Sequence, residues 1–333
     1  MQTSNRLLDG FSRDSLKINA SQTIEQVSDW IKDTVQYRLH RRGVVIGISG
    51  GIDSSVVLAL CVRAMGSQRV LGLMLPEGES SPESANLAQQ LANQVGIQTL
   101  REDITSTLDA AGCYRRRDEA IKRIFPQFGK DWKSKITLPG NLLDEETLNV
   151  FYLTVISPAG EEYKKRIPPA EFAQIMAASN FKQRTRMAML YYHAEARNYA
   201  VVGTANKNEH DLGFFVKYGD GGVDLNPIIH LFKSQIYLLA KELEIPQEIQ
   251  NRPPTSDTYS AGSTQEEFFF RLPFDILDTI WFGYESGYSN EQIARSLELS
   301  TTQIERVVED IQRKKRTTDY LRSRPYSIQN HSQ

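Results

Sequence analysis

The sequence predicts an α/β fold: a doubly wound parallel sheet flanked by helices, with an inserted segment and a helical C-terminal part. Three observations predict it. Apolar β-branched runs alternate with stretches of helical period; the first such run opens directly into a glycine-rich turn; and the alternation lapses over residues 106–180 before it resumes.

Residues 21–40 place Ile24, Val27, Ile31, Val35 and Leu39 at helical spacing, so a leading helix within residues 1–42 covers the sheet or a partner subunit. The stretch VVIGISGGIDSS, from Val44 to Ser55, then reads as a buried parallel strand followed by a tight turn. Gly50 and Gly51 permit the turn and a close phosphate approach. The helix that follows, with apolar spacing over Ser55–Ala64, aims its unpaired N–H groups and positive dipole end at the turn. An anion is stabilised there without a lysine.

A second strand is expected at Arg69–Leu75, a helix from the SSPES start to about Val95, and a third strand at Ile97–Arg101. A fourth strand, Tyr199–Gly203, follows a long helix beginning near Phe181. Such crossovers are right-handed, and ligands lie beyond the carboxyl ends of the strands, where SGGIDSS, LPEGESS and GTANKNE all fall. The insertion carries a basic cluster, Tyr114–Arg117, and a hairpin-like run in which Phe151, Leu153 and Val155 alternate before a Pro-Ala-Gly turn. A lid, a substrate-side wall, a dimer contact and a plain surface elaboration all fit it. Within residues 258–333, Ser289–Leu297 and Ser300–Arg316 read as two capped helices.

At 333 residues the chain suits one large α/β domain, and its 40% hydrophobic and 24% charged composition is that of a soluble globular protein. A net charge of −2 gives no reason to expect nucleic acid as a partner, and the Lys314, Lys315, Arg316 run complements a helix C-terminus. Cys61 and Cys113 read as buried thiols of a reducing compartment. No apolar run of membrane-spanning length and no signal-peptide core occur, so the expected location is cytoplasmic.

The SGGxDS form, without the lysine of an ordinary P-loop, resembles the PP-loop of ATP pyrophosphatases, which cleave ATP between the α and β phosphates. Phe181–Leu239 narrows this. Its RTRM helix start, GT…NE turn, GFFVKYGDGGVD loop and NPI…KSQIY run, followed in register by PPTSD at Pro253–Asp257, closely resemble NAD synthetase. The similarity spans most of the chain apart from the leading helix and the insertion.

The resemblance implies ATP-dependent amidation of deamido-NAD to NAD with ammonia, through an adenylated carboxylate, with release of AMP and pyrophosphate. It implies that Gly47, Ile48, Ser49, Gly50, Gly51, Ile52, Asp53 and Ser54 border ATP, with Ser55 helping to hold the departing pyrophosphate. Thr204 matches a hydroxyl contact to ATP, and Lys233 and Thr255 match a phosphate clamp. Asp53 and Glu209 match magnesium ligands, and Asp53 and Lys233 carry the catalysis. Arg184, Lys217 and Asp224 match positions that bind deamido-NAD. Lys314 and Lys315 are the nearest counterpart of a family His-Lys pair near the C-terminus, with no histidine here.

Phe214, Phe215 and Tyr218 offer aromatic surface for the nicotinate ring, or else pack in the core, and Asp220 is placed to orient or deprotonate the amine. The stretch after PPTSD departs from the family's Asp-Glu-x-x-Leu-Gly pattern, with Gln265, Glu266, Glu267 and a Phe triplet in a region that closes over ATP in the family. The α/β core begins within about fifty residues, leaving no room for the amidase module of glutamine-dependent relatives, and neither cysteine sits in a nucleophile setting. Free ammonia is therefore the expected donor, a separate glutaminase subunit the alternative, and a homodimer the expected assembly. A PP-loop ligase acting on another carboxylate or amine, and a noncatalytic nucleotide-binding module, are the competing readings.

Overall fold

The computed structural model describes residues 10–144, 150–255, 260–262 and 264–328. Helix α1 (Ala20–Asp33) leads into β1 (Val44–Gly47), α2 (Ile52–Met65), β2 (Val70–Met74), α3 (Pro82–Val95) and β3 (Gln98–Arg101). The insertion contributes α4 (Thr105–Ala110), α5 (Cys113–Ile124), β4 (Lys133–Thr137), β5 (Tyr152–Ile156) and β6 (Glu162–Arg166). After it come α6 (Pro169–Arg197), β7 (Ala200–Val202), α7 (Lys207–Leu212), α8 (Lys233–Glu242) and α9 (Gln247–Asn251). The C-terminal part is α10 (Phe274–Glu285), α11 (Asn290–Leu297), α12 (Thr301–Thr317) and α13 (Asp319–Arg322).

The main sheet is four-stranded and parallel, in the order β3-β2-β1-β7. Strand β1 is central, with Val44 opposite both Val70 and Ala200. Its residues alternate between two buried layers, as period two requires. Val44 and Ile46 join the core formed with α1, α2 and α8, whereas Val45 packs with Leu71, Leu73 and Val201 against Met187, Leu190 and Ala194 of α6. Burial on both faces explains the unbroken apolar run. The chain leaves β1 toward β2 on one side and returns as β7 on the other, which opens a crevice at the carboxyl end of β1.

Ile24, Val27, Ile31 and Val35 of the leading segment are buried against α2 and α8 within the chain. That stripe covers the protein's own core, the first of the two roles expected of it. The long helix starts at Pro169 rather than near Phe181, with Pro168 extended before it. Its first turns bury Ile175 and Ala178, and it ends at Asn198 in the left-handed conformation (φ 55°).

In the insertion, β4, β5 and β6 form an antiparallel sheet, and Leu153 and Val155 alternate inward as expected. They share a core with Ile121 of α5, Phe125 just beyond it, Ile175 of α6 and Phe268 of the Phe triplet. The basic cluster turns partly inward. Lys182 of α6 is buried and reaches Glu77 Oε1 at 3.0 Å and Glu79 Oε2 at 2.6 Å, while Tyr114 donates to Glu77 Oε2 at 2.6 Å and Arg117 pairs with Glu79. The loop after β2 is thereby fastened to α5 and α6.

In the C-terminal part, the expected caps are present: Ser289 with Gln292, and Ser300 with Gln303. Ile293, Ile304, Val307 and Ile311 pack with Trp281 and Phe232, so α11 and α12 turn their apolar faces inward. Among the described residues no helix is long and apolar enough to cross a membrane. Both cysteines are buried and unpaired, and burial pushes the Cys61 thiol up to about 12.

Lys182→Met should lower stability by about 3–5 kcal/mol, because it strands the buried Glu77 carboxylate without its cation. Urea unfolding followed by fluorescence measures this; an unchanged midpoint would show that the cluster contributes nothing.

Candidate active site

A cleft of about 710 Å³ lies beyond the carboxyl ends of β1, β2 and β7. Gly47, Ile48, Ser49, Gly51, Ile52, Asp53 and Ser54 form its floor, Thr204 follows β7 on one side, and Lys233 and Thr255 border it from other segments. Gly50 stands behind this surface. Its φ is +74°, and a Cβ there would lie 2.4 Å from the Ser84 carbonyl oxygen, so glycine is required by the packing of α3 as well as by the turn. The turn is held by its own hydroxyls: Ser54 Oγ and Ser55 Oγ donate to the Gly51 carbonyl at 3.0 and 2.8 Å. The N–H groups in the first turn of α2 have no acceptor within the helix and face the cleft, as an anion requires.

The ionic centre is assembled by Asn206, a fully buried residue between β7 and α7. Its Nδ2 donates to Asp53 Oδ1 at 2.9 Å, and its backbone N–H donates to Glu209 Oε2 at 3.2 Å. Lys233, fully buried, donates through Nζ to Asp53 Oδ2. One cation thus faces two carboxylates. Glu209 borders the cleft but is ringed by protein, and this burial, with the charge of Asp53 next, pushes its pKa up to about 8 against the opposing pull of Lys233. Burial works against the charge on Lys233, but Asp53 and Glu209 outweigh it and hold its pKa above the usual lysine value. Gln265 donates to Glu209 Oε1 at 3.1 Å, while its own Oε1 is buried with no hydrogen-bond partner. Oxygen donors with surplus negative charge and one orphaned carbonyl suit a hard divalent cation.

The other sequence-predicted residues stand apart from this centre. Arg184, exposed on α6, donates to the Lys217 carbonyl at 3.2 Å. Lys217 Nζ is itself held by the Tyr320 and Ser323 carbonyls, both at 2.8 Å. Asp224 accepts from Tyr191 Oη at 3.0 Å and from Val201 N–H at 2.8 Å, at the β7 edge of the sheet. Arg184 and Lys217 meet each other, Asp224 stands at the sheet edge, and none of the three lines the cleft. Lys314 is buried against Asp310 (2.7 Å) and the Phe269 carbonyl (2.8 Å), and burial lowers its pKa to about 8; Lys315 pairs with Glu285 at 2.7 Å. Neither borders the cleft.

Phe214 lines the cleft with its ring packed on Phe268, Phe269 and Phe270, and Phe215 stacks on His210 at 5.7 Å. Both are therefore engaged by protein, and Tyr218 points to solvent. Asp220 borders the cleft and accepts from Val216 N–H at 2.8 Å; the surrounding protein pushes its pKa up to about 6. Phe151, Phe172 and Met176 supply an apolar wall from the insertion and the start of α6. Ser256 and Asp257 of the PPTSD motif, with 258, 259 and 263 of the following stretch, lie outside the described residues.

Asn206 and Arg186, which also lines the cleft, carried no role in the sequence reading. The N-x-x-E spacing of a capping box, Asn206 with Glu209, was the signal for the first.

A model of the NAD synthase family matches residues 23–124 and 133–321. The chain belongs to the NAD synthase family. The match extends into the leading helix and the insertion, beyond the span the motifs alone suggested. An NH(3)-dependent NAD(+) synthetase of Rhizobium meliloti is 46% identical over 325 residues, 98% of this chain and 96% of that one. A namesake from Thermotoga maritima is 36% identical over 79% of this chain and 87% of its own. In fold, the NH3-dependent NAD synthetase of Campylobacter jejuni aligns over 93% of this chain and all of its own with a TM-score of 0.60 at 23% identity. An NMN synthetase of Francisella tularensis aligns over 93% of this chain and 99% of its own, at TM-score 0.58 and 21% identity.

The raised Glu209 pKa has a thermodynamic consequence. Between about 4.5 and 8 the folded chain binds a proton that the unfolded chain releases, so stability falls as pH rises through that window. In chelator, Glu209→Gln should match the wild type near pH 4 and exceed it by about 1–2 kcal/mol at pH 8, discounting for the group's contact with cleft water. Thermal unfolding across that range measures the difference, and parallel curves for the two proteins would contradict it.

Proposed function

We propose that the chain is an ammonia-dependent NAD+ synthetase, a carbon–nitrogen ligase that joins ammonia to the carboxylate of deamido-NAD at the expense of ATP. The observation that carries this is the 46% identity, over nearly the whole of both chains, to a curated NH(3)-dependent NAD(+) synthetase, on a chain whose PP-loop, Asp53, Glu209 and Lys233 meet in one cleft.

In this reading the triphosphate lies over the turn from Gly47 to Ser54, with Thr204, Thr255 and Lys233 around it. The nicotinate carboxylate attacks the α-phosphorus, the bond to the β-phosphate breaks, and pyrophosphate leaves toward the N-terminus of α2 and Lys233. Charge developing on that leaving group is met by groups already fixed in place. Asp53 and Glu209 would hold magnesium, with the orphaned Gln265 oxygen near it; when bound, the ion supplies positive charge against the phosphates. Ammonia then attacks the acyl carbon, AMP departs, and Asp220, with its raised pKa, takes the proton lost from nitrogen.

We place deamido-NAD along Arg184, Lys217 and Asp224, and a second copy of the chain beside them. Exposed Tyr192 on α6 and Tyr218 next to Lys217 support that placement, since large rings in water suit an interface better than a solvated surface. Two buried free thiols accord with a cytoplasmic location.

Incubation with ATP, magnesium and deamido-NAD should yield NAD, AMP and pyrophosphate with ammonium and far less NAD with glutamine. AMP and pyrophosphate without NAD, or faster turnover of nicotinate mononucleotide, would point to a different ligase; no pyrophosphate with any carboxylate would leave a binding module. Asp53→Asn should lower kcat at least about 100-fold with the fold intact. Near-wild-type activity of that variant at millimolar magnesium would defeat the metal assignment. Arg184→Ala should raise KM for deamido-NAD about tenfold and leave KM for ATP unchanged, the loss of one charged contact.

A further inference from the structure

Helix α8 begins with a defect that the C-terminal part of the chain repairs. Its N-cap residue is Phe232, which has no side-chain acceptor, so the first N–H groups of the helix need partners from elsewhere. Lys233 N–H finds Asn208 Oδ1 at 2.9 Å. Ser234 N–H finds Asp278 Oδ2 at 2.8 Å, and Ser234 Oγ donates to the same oxygen at 2.7 Å. The other oxygen, Asp278 Oδ1, accepts from Asn208 Nδ2. Asp278 belongs to α10, is fully buried, and lies 44 residues beyond Ser234 in sequence.

Two of these residues sit next to the ionic centre in sequence. Asn208 precedes Glu209 on α7, and Ser234 follows Lys233 on α8. Asn208, Lys233 and Asp278 are all fully buried, so none has water as a substitute partner. The Asn208 amide has its orientation dictated from both ends, since its oxygen must accept from Lys233 N–H while its nitrogen donates to a carboxylate.

We propose that Asp278 is a positioning residue for the ligase reaction: through Asn208 and Ser234 it fixes the distance between α7 and α8, and with it the placement of Lys233 against Asp53 and Glu209. The proposal rests on the function argued above. Asp278 touches no substrate. Its carboxylate acts as a two-sided acceptor, one oxygen for each helix, and an amide in its place has only one accepting side. In Asp278→Asn, the Ser234 donors claim the remaining oxygen and the new NH2 confronts the NH2 of Asn208. Asn208 then either leaves the pair or turns over and gives up Lys233 N–H.

The test exploits this. Asp278→Asn should lower kcat about 10- to 100-fold, the cost of misplacing a charged contact made in the transition state, with KM for deamido-NAD within about threefold of wild type. The exchange Asp278→Asn with Asn208→Asp restores every donor–acceptor match, because the carboxylate introduced on α7 accepts from both Lys233 N–H and the amide introduced on α10. It should recover kcat to within about fivefold of wild type. A purely structural role would lower the melting temperature of Asp278→Asn while leaving kcat per folded molecule unchanged, and that outcome overturns the proposal. So does an exchange variant that folds yet turns over no better than the single variant. Should the single variant not fold, the exchange is compared with wild type directly, and a folded exchange more than about 100-fold slower is equally fatal. Should wild type make no NAD, the function fails first; ATP affinity by calorimetry then reads the placement of Lys233, expected to weaken about tenfold in Asp278→Asn and to return in the exchange, with equal affinities in all three overturning it.

Discussion

Lys233 and Asp53 form an ion pair at the point where the strand order reverses, and the rest of the site is arranged around keeping it. A lysine with no exposed surface is costly unless its charge is matched. Here the matching comes from two carboxylates on two other segments, with Asn206 bridging the pair of them. Glu209 registers its burial first, and the charge of Asp53 second, by holding its proton well above the ordinary range. In the reaction proposed above, a triphosphate with its counter-ion would bring both signs of charge to this centre at once.

The main sheet was legible because burial on both faces leaves a plain signature. Val44–Ile46 and Val70–Met74 are apolar at every position, glycine included, and a glycine-rich turn follows the first of them. The caps of α11 and α12 were legible for a local reason, as Ser289 and Ser300 bond only within their own first turns. The start of α6 was not. That helix packs first on the insertion through Ile175 and then on the sheet through Met187, Leu190 and Ala194, so no single apolar stripe runs its length.

Within the site, the PP-loop and the residues after β7 could be named from the chain alone, since each belongs to a short run of fixed spacing. Long-range assembly could not. Nothing near Phe232 announces that its missing cap lies on α10, and nothing in the Lys-Lys-Arg run distinguishes Lys314, sealed beside Asp310, from Lys315 at the surface. Likewise, whether Phe214 faces a ligand or a Phe triplet depends on residues more than fifty positions away, which periodicity does not report.

The walls of the cleft come from nearly the whole length of the chain, from Gly47 to Leu321. During synthesis the parallel sheet can close as soon as Val202 has emerged, yet the wall of the chamber above it is incomplete until Thr318, Tyr320 and Leu321 are made. The cleft is thus the last part of the molecule to be completed. Occupancy of the cleft is for the same reason a report on completion: a ligand that binds only the finished chamber draws newly made chains toward the fully assembled state.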